Sequence, residues 1–197
     1  MGKSIFKLFM IPLPGFLIAI GLLVSYFAPQ SASFASAHQV DPVKEIAGYR
    51  NWARVNPEPQ LMPDQVSVLC AAPAPIKAFD PSNPHRHKYI TVYVNDTGRK
   101  AMLEQKKPAF PEGSVIVKEK LSEKSSPTPE LLTVMIKRGK DFNPNSGDWE
   151  YMVVDGTATN IQAQGKLENC QSCHSAKPGT DYVFRTYLPS QVLTRLK

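Results

Sequence analysis

A Cys170-Gln-Ser-Cys173-His174 run stands 23 residues from the end of this 197-residue chain. Two thiols three positions apart, with a histidine directly behind the second, is the spacing of covalent c-type haem attachment. The thiols add to the two vinyl groups of the porphyrin, and the adjacent imidazole is then placed to coordinate iron from the proximal side. Three rival chemistries use the same residue types. Structural zinc needs four protein ligands, and the remaining candidates, Cys70, His85 and His87, lie far upstream. A thioredoxin-type redox pair wants a strand–CxxC–helix context in a βαβ unit, whereas this motif comes late in the chain. A plain disulfide suits an oxidising compartment but gives the trailing histidine no role. The motif therefore predicts one haem c per chain, held by Cys170, Cys173 and His174.

The residues around the motif say what kind of haem this is. None of the 23 residues after His174 is Met or His, which excludes a small electron-transfer cytochrome whose axial Met lies downstream of the motif. Met62, Met102, Met135, Met152, His85 and His87 are upstream candidates for a sixth ligand. The methionines are expected in the core, and the two histidines, in a Pro-flanked polar loop, are expected in solvent. The expectation is a five-coordinate iron with an open face that binds a small-molecule substrate or gas ligand. An electron carrier with a strong sixth ligand is the alternative.

The first residues do not belong to the fold. Lys3 and Lys7 form a short basic region, residues 9–27 are apolar almost throughout, and small residues follow up to Ala35-Ser-Ala37. That order predicts a secretory signal over 1–37, with an uncleaved membrane anchor as the alternative. Either way the body, residues 38–197, lies outside the cytoplasm. It has about 160 residues, enough for one domain with its own core. The formal charge of +6 is dispersed, and no basic block is interleaved with aromatics, so nucleic acid is not an expected partner. Cys70 is the odd thiol once a haem has taken two. It is expected as a buried small hydrophobe, with an intermolecular disulfide as the minority alternative.

Asp41-Pro42 opens a helix well, since Asp caps free amides and Pro suits the first turn. Val43, Ile46, Ala47 and Ala53 continue at near-helical spacing and the pattern stops before Pro57. A Pro-rich loop region follows, up to His85. Four segments then look like strands: Ile-Thr-Val-Tyr-Val at 90–94, Ser-Val-Ile-Val-Lys-Glu-Lys-Leu at 114–121, Leu-Leu-Thr-Val-Met-Ile at 131–136, and Trp-Glu-Tyr-Met-Val-Val at 149–154. Asn95-Asp-Thr-Gly98 signals a turn, a short helix fits between Gly98 and Lys107, and the last two strands form a hairpin across residues 139–147. The fold class is α+β, an antiparallel β-sheet flanked by helices. Those strands argue against the four-helix bundle in which other late haem motifs occur.

A late haem motif on a β-rich body resembles the cytochrome P-460 family. The likeness runs from Tyr49-Arg-Asn-Trp52 to Tyr187-Leu-Pro189, and rests on residues 90–94, 110–119, Gly147-Asp-Trp149, 170–174 and Thr180-Asp-Tyr-Val-Phe184. The resemblance implies a periplasmic homodimer with a c-haem near the C-terminal motif. Members that oxidise hydroxylamine carry a lysine bonded to the porphyrin on a strand reading Val-x-Val-Lys-Glu, and Lys118 occupies that position. From the residues alone Lys118, which shares a strand face with Ile116 and Lys120, would be an ordinary solvated lysine. Hydroxylamine-oxidising members also have a distal glutamate where this chain, matched without gaps, has Thr133. A carboxylate could take protons from the substrate, but a threonine hydroxyl is a poor base. Glu130 and Glu150 are the nearby carboxylates if the register is off. The resemblance thus implies hydroxylamine oxidation with a soluble cytochrome as electron acceptor, or binding of nitric oxide and similar gases without turnover.

Overall fold

The computed structural model describes residues 41–63 and 86–196. The expected signal, Cys70 and His85 lie outside the described residues. All four strand segments form: β3 (Tyr89–Val94), β4 (Val115–Leu121), β5 (Leu131–Lys137) and β6 (Trp149–Asp155). Two short strands, β1 (Ala53–Arg54) and β2 (Gln60–Leu61), precede them, and β7 (Ile161–Gly165) follows. Every pairing is antiparallel, in the order β1-β3-β4-β5-β6-β7, with β2 also on β3. This is the expected α+β fold.

The helix expected after Asp41 is cut short. Asp41 does cap it, accepting from the Val43 amide at 3.1 Å, but α1 spans only Pro42–Glu45. Gly48 then takes a left-handed φ of 69° and starts a single 3-10 turn over Tyr49–Asn51. Beyond it the chain is extended, because β1 and β2 share the outer edge of β3. Pro57 interrupts that edge, and Asn56 repairs it. Its side-chain amide accepts from Val92 N at 2.8 Å and donates to Ile90 O at 2.9 Å, standing in for a strand backbone.

Asn95 proves to be a helix cap rather than part of a turn. It accepts from the Gly98 amide at 3.1 Å and starts α2 (Asp96–Leu103), a typical role for a short polar side chain. The helix lies close on the sheet, and a Cβ on Gly98 would come within 2.9 Å of Val94.

Side-chain alternation gives the sheet two buried faces. On the first, Val92, Val94, Ile116, Met135, Trp149 and Tyr151 pack with Met102, Phe110, Val183 and Leu188. On the second, Tyr93, Val117, Leu132, Val134, Ile136, Met152 and Val154 pack with Ile46 and Tyr49. Met62, Met102, Met135 and Met152 are all buried, as expected of core thioethers. Polar clamps fix the second face. Buried Glu119 accepts from Tyr49 Oη and Arg50 Nε, both at 2.7 Å, and burial together with this carboxylate pushes the phenol well above its ordinary pKa. Arg138 forks onto Glu45 with two contacts of 2.9 Å and reaches Glu150 at 2.6 Å. That ties α1 to the β5–β6 hairpin.

Candidate functional site

The Cys-x-x-Cys-His run forms helix α3 (Glu168–His174), with Cys170 packed against the first sheet face. His174 closes the helix, and its Nδ1 lies 2.6 Å from the Tyr182 carbonyl. A carbonyl can only accept, so Nδ1 carries the proton and Nε2 keeps its lone pair. The ring is wedged between Tyr151, centroids 5.3 Å apart, and the edge of Phe184 at 5.1 Å. Burial lowers the imidazole pKa to about 4, and the Lys118 charge pushes the same way against the Tyr182 carbonyl. The result is a neutral imidazole in the tautomer that ligates through Nε2.

Tyr182 holds its carbonyl there because the preceding turn is clamped. Asp181 and Tyr182 have successive positive φ values of 53° and 63°, a conformation residues other than Gly and Asn rarely adopt unless their surroundings enforce it. The Asp181 carboxylate accepts from Lys137 Nζ at 2.7 and 2.8 Å and from the Phe110 amide at 2.8 Å. Its carbonyl accepts from the Trp149 indole at 2.8 Å. Gly147 gives the Tyr182 ring its place, since a Cβ there would approach the ring to 2.6 Å. Tyr151, the other wall of the imidazole, is hydrogen bonded to Ser146 at 2.9 Å, and burial raises its phenol pKa to about 12.

The sheet supplies the opposing residues. Lys118 and Thr133 are register partners on β4 and β5, flanked by Val92 and Val153. Alternation puts all four on the first face, and the effect of Lys118 on the His174 imidazole agrees with that side. Lys118 is half-buried and Lys120, two residues on, is 2% exposed, so neither is the solvated lysine its local sequence suggests. The carboxylates near Thr133 are engaged elsewhere. Glu119 and Glu150 point to the second face, where Glu150 takes Arg138 and the Gln164 amide. Glu130 pairs with Lys88 at 2.6 Å. Among the described residues no three His, Cys, Asp or Glu side chains group as a metal site.

A family model for cytochrome P460 matches residues 46–185. The chain belongs to the cytochrome P460 family. A search of curated proteins finds no match. Membership makes this a haem-binding cytochrome, and the cytochrome P460 domain here offers a donor set that suits the group. It has a neutral, oriented imidazole, two half-buried thiols one helical turn apart, and a mixed apolar and basic sheet face. His87 is exposed. Sequence reasoning singled out the stretches 147–149 and 180–184 without giving them a role. In the structure they are the cradle of the imidazole, legible only as an odd Asp-Tyr pair and a glycine two residues before a tryptophan.

Proposed function

We propose that this chain is an exported, periplasmic c-type cytochrome that oxidises hydroxylamine or a related small nitrogen compound. In this reading residues 1–37 are a signal peptide, or an anchor if uncleaved. Cys170 and Cys173 bond the porphyrin and His174 Nε2 holds the iron, with Lys118 cross-linked to the ring. The haem, when bound, supplies an open coordination position and the capacity to accept the substrate's electrons. The observation carrying the reading is Lys118, half-buried opposite Thr133 on the sheet face whose charge reaches His174.

The chain's own residues do the rest. The Tyr182 carbonyl fixes the proximal ring, a partner that strengthens the donor power of the other nitrogen. Val92 and Val153 flank the Lys118–Thr133 pair as buried apolar neighbours. Thr133 can donate to or accept from a bound small molecule but does not take its proton at neutral pH. Electrons leave to a soluble cytochrome, and the working unit is a homodimer.

A second reading, a nitric oxide or gas binder without turnover, is favoured by Thr133 itself, because Glu119, Glu130 and Glu150 are all engaged elsewhere. The holoprotein separates the two. Hydroxylamine-dependent reduction of an acceptor dye, with a haem peptide whose mass includes the Lys118 segment, supports the oxidase. Intact haem with no turnover ends it, and tight nitric oxide binding then supports the second reading.

A further inference from the structure

Helix α3 carries Cys170, Cys173 and His174, yet none of its residues is fully buried. Asn169 and Ser172 are exposed, and so are Ser175, Ala176 and Pro178 in the turn behind it. All five side chains are short and uncharged. Two cations frame them. Lys166, just before the helix, is exposed and holds its Nζ 5.2 Å from the centre of the Phe142 ring. Lys177, just after the helix, holds its Nζ 5.3 Å from the centre of the Phe184 ring. Neither lysine forms an ion pair with a described carboxylate. Glu168 is the only carboxylate between positions 166 and 180, and Asp181, the next along the chain, is taken by Lys137.

Phe184 links this surface to the proximal imidazole. Of the two rings packed against His174, Tyr151 is 2% exposed, whereas Phe184 is half-buried and lies under Lys177. We propose that α3 and the turn after it are the docking face for a soluble, acidic one-electron acceptor protein. Lys166 and Lys177 are its charged contacts, and Phe184 is the packed link between the face and His174. One electron passes from ferrous haem to the acceptor's oxidised centre; no bond forms or breaks and no proton moves. Redox encounters use small interfaces, where rim charges set approach and orientation more than affinity. A patch of short side chains between two cations has that character. The inference rests on the reading above that a haem at Cys170, Cys173 and His174 passes electrons to a soluble protein, but not on the roles of Lys118 and Thr133.

The test uses the holoprotein reduced with dithionite and desalted, so it needs no hydroxylamine turnover. Oxidised plastocyanin, an acidic soluble copper protein, is the acceptor, and tris(phenanthroline)cobalt(III) is the cationic control. In stopped-flow mixing the second-order rate with plastocyanin should fall as salt rises. Lys166→Glu and Lys177→Glu should each lower it about fivefold at low ionic strength, with the cobalt rate unchanged or raised. Carbodiimide coupling of the two proteins, read by peptide mass spectrometry, should join plastocyanin carboxylates to Lys166 and Lys177. Lys177→Arg, which keeps the charge but not the amine, should keep the rate and lose its coupled peptide. Lys166→Ala and Lys177→Gln replace a charge reversal that does not fold. Coupling that falls on other lysines, or a plastocyanin rate that these variants leave unchanged, overturns the docking face while the haem is intact. A chain without covalent haem overturns the haem attachment and this proposal together.

Discussion

Replacing Asp181 by Ala tests whether the imidazole cradle is held from a distance. The carboxylate takes two contacts from Lys137 and one from the Phe110 amide. Both charged partners are largely covered, at 14% and 16% exposure. Removing one member of a buried pair costs about 3–5 kcal/mol, and an orphaned amide adds about 1–3 kcal/mol. Against this, Lys137 keeps the Trp149 ring 5.0 Å away, worth about 0.5–1 kcal/mol, and its residual exposure lets water reach it. A net loss of about 3 kcal/mol is expected, a fall in Tm of about 6–12 °C for a domain of this length. Thermal and urea melts of the holoprotein, followed by haem absorbance and far-ultraviolet dichroism, measure it. Lys137→Met in the Asp181→Ala background removes the stranded cation and should restore about half the loss. A loosened Tyr182 carbonyl should also weaken the iron–histidine bond, lowering its stretching frequency in the ferrous protein. A variant that melts within about 1 °C of wild type, or that keeps the wild-type stretch while destabilised, would refute the clamp.

Three further outcomes follow from features already described. Thr133→Glu puts a carboxylate opposite Lys118 and should raise hydroxylamine turnover by about 10²-fold; an unchanged kcat with normal haem content would count against Thr133 as the distal residue. Asn56→Ala deletes a fully buried amide that bonds Val92 N, Ile90 O and Glu58 O, and should lower the unfolding free energy by about 3 kcal/mol, read from urea midpoints. Asp155 accepts from the Thr159 amide and the Thr157 hydroxyl, which hold its carboxyl below the ordinary 3.8. A depressed folded pKa stabilises above that value and the contribution fades as pH falls through it, so Asp155→Asn should flatten the acid limb of a stability–pH curve below about pH 4.

The sheet was legible because each of β3, β4, β5 and β6 is rich in β-branched and aromatic residues, and these stand on a sheet with both faces covered. β7 was not, since Ile-Gln-Ala-Gln-Gly carries little apolar signal and forms only by adding to β6. The N-terminal helix was overdrawn because Val43, Ile46 and Ala47 satisfy helical spacing, while the left-handed Gly48 and the edge of β3 turn the chain into strand. Asn95 shows the reverse error: the residues that signal a turn also cap helices, and only the packing of Gly98 on Val94 decides. At the site, the motif stood out by its spacing, whereas Lys118 was singled out by the family resemblance alone, its local sequence suggesting a solvated side chain. The Asp181 clamp was not legible, because its partners Phe110, Lys137 and Trp149 come from three separate segments. Nor was buried Lys120, whose alternation with Glu119 reads locally as a solvated edge.

Lys118 and Glu119 are neighbours in the chain that answer to opposite sides of the sheet. Glu119 is pinned by Tyr49 and Arg50, and Lys118 faces Thr133. Strand side chains alternate with a period of two, so a slip of one residue exchanges the faces. Deleting a single residue from the turn before β4 would send Glu119 toward the imidazole side and strand Lys118 beside Tyr49. Insertions and deletions here are therefore all-or-nothing: one residue should abolish both the clamp and the site, while two residues, which keep the parity, should cost far less. The length of that turn, and not only the residue types on the strand, decides which side chain faces Thr133.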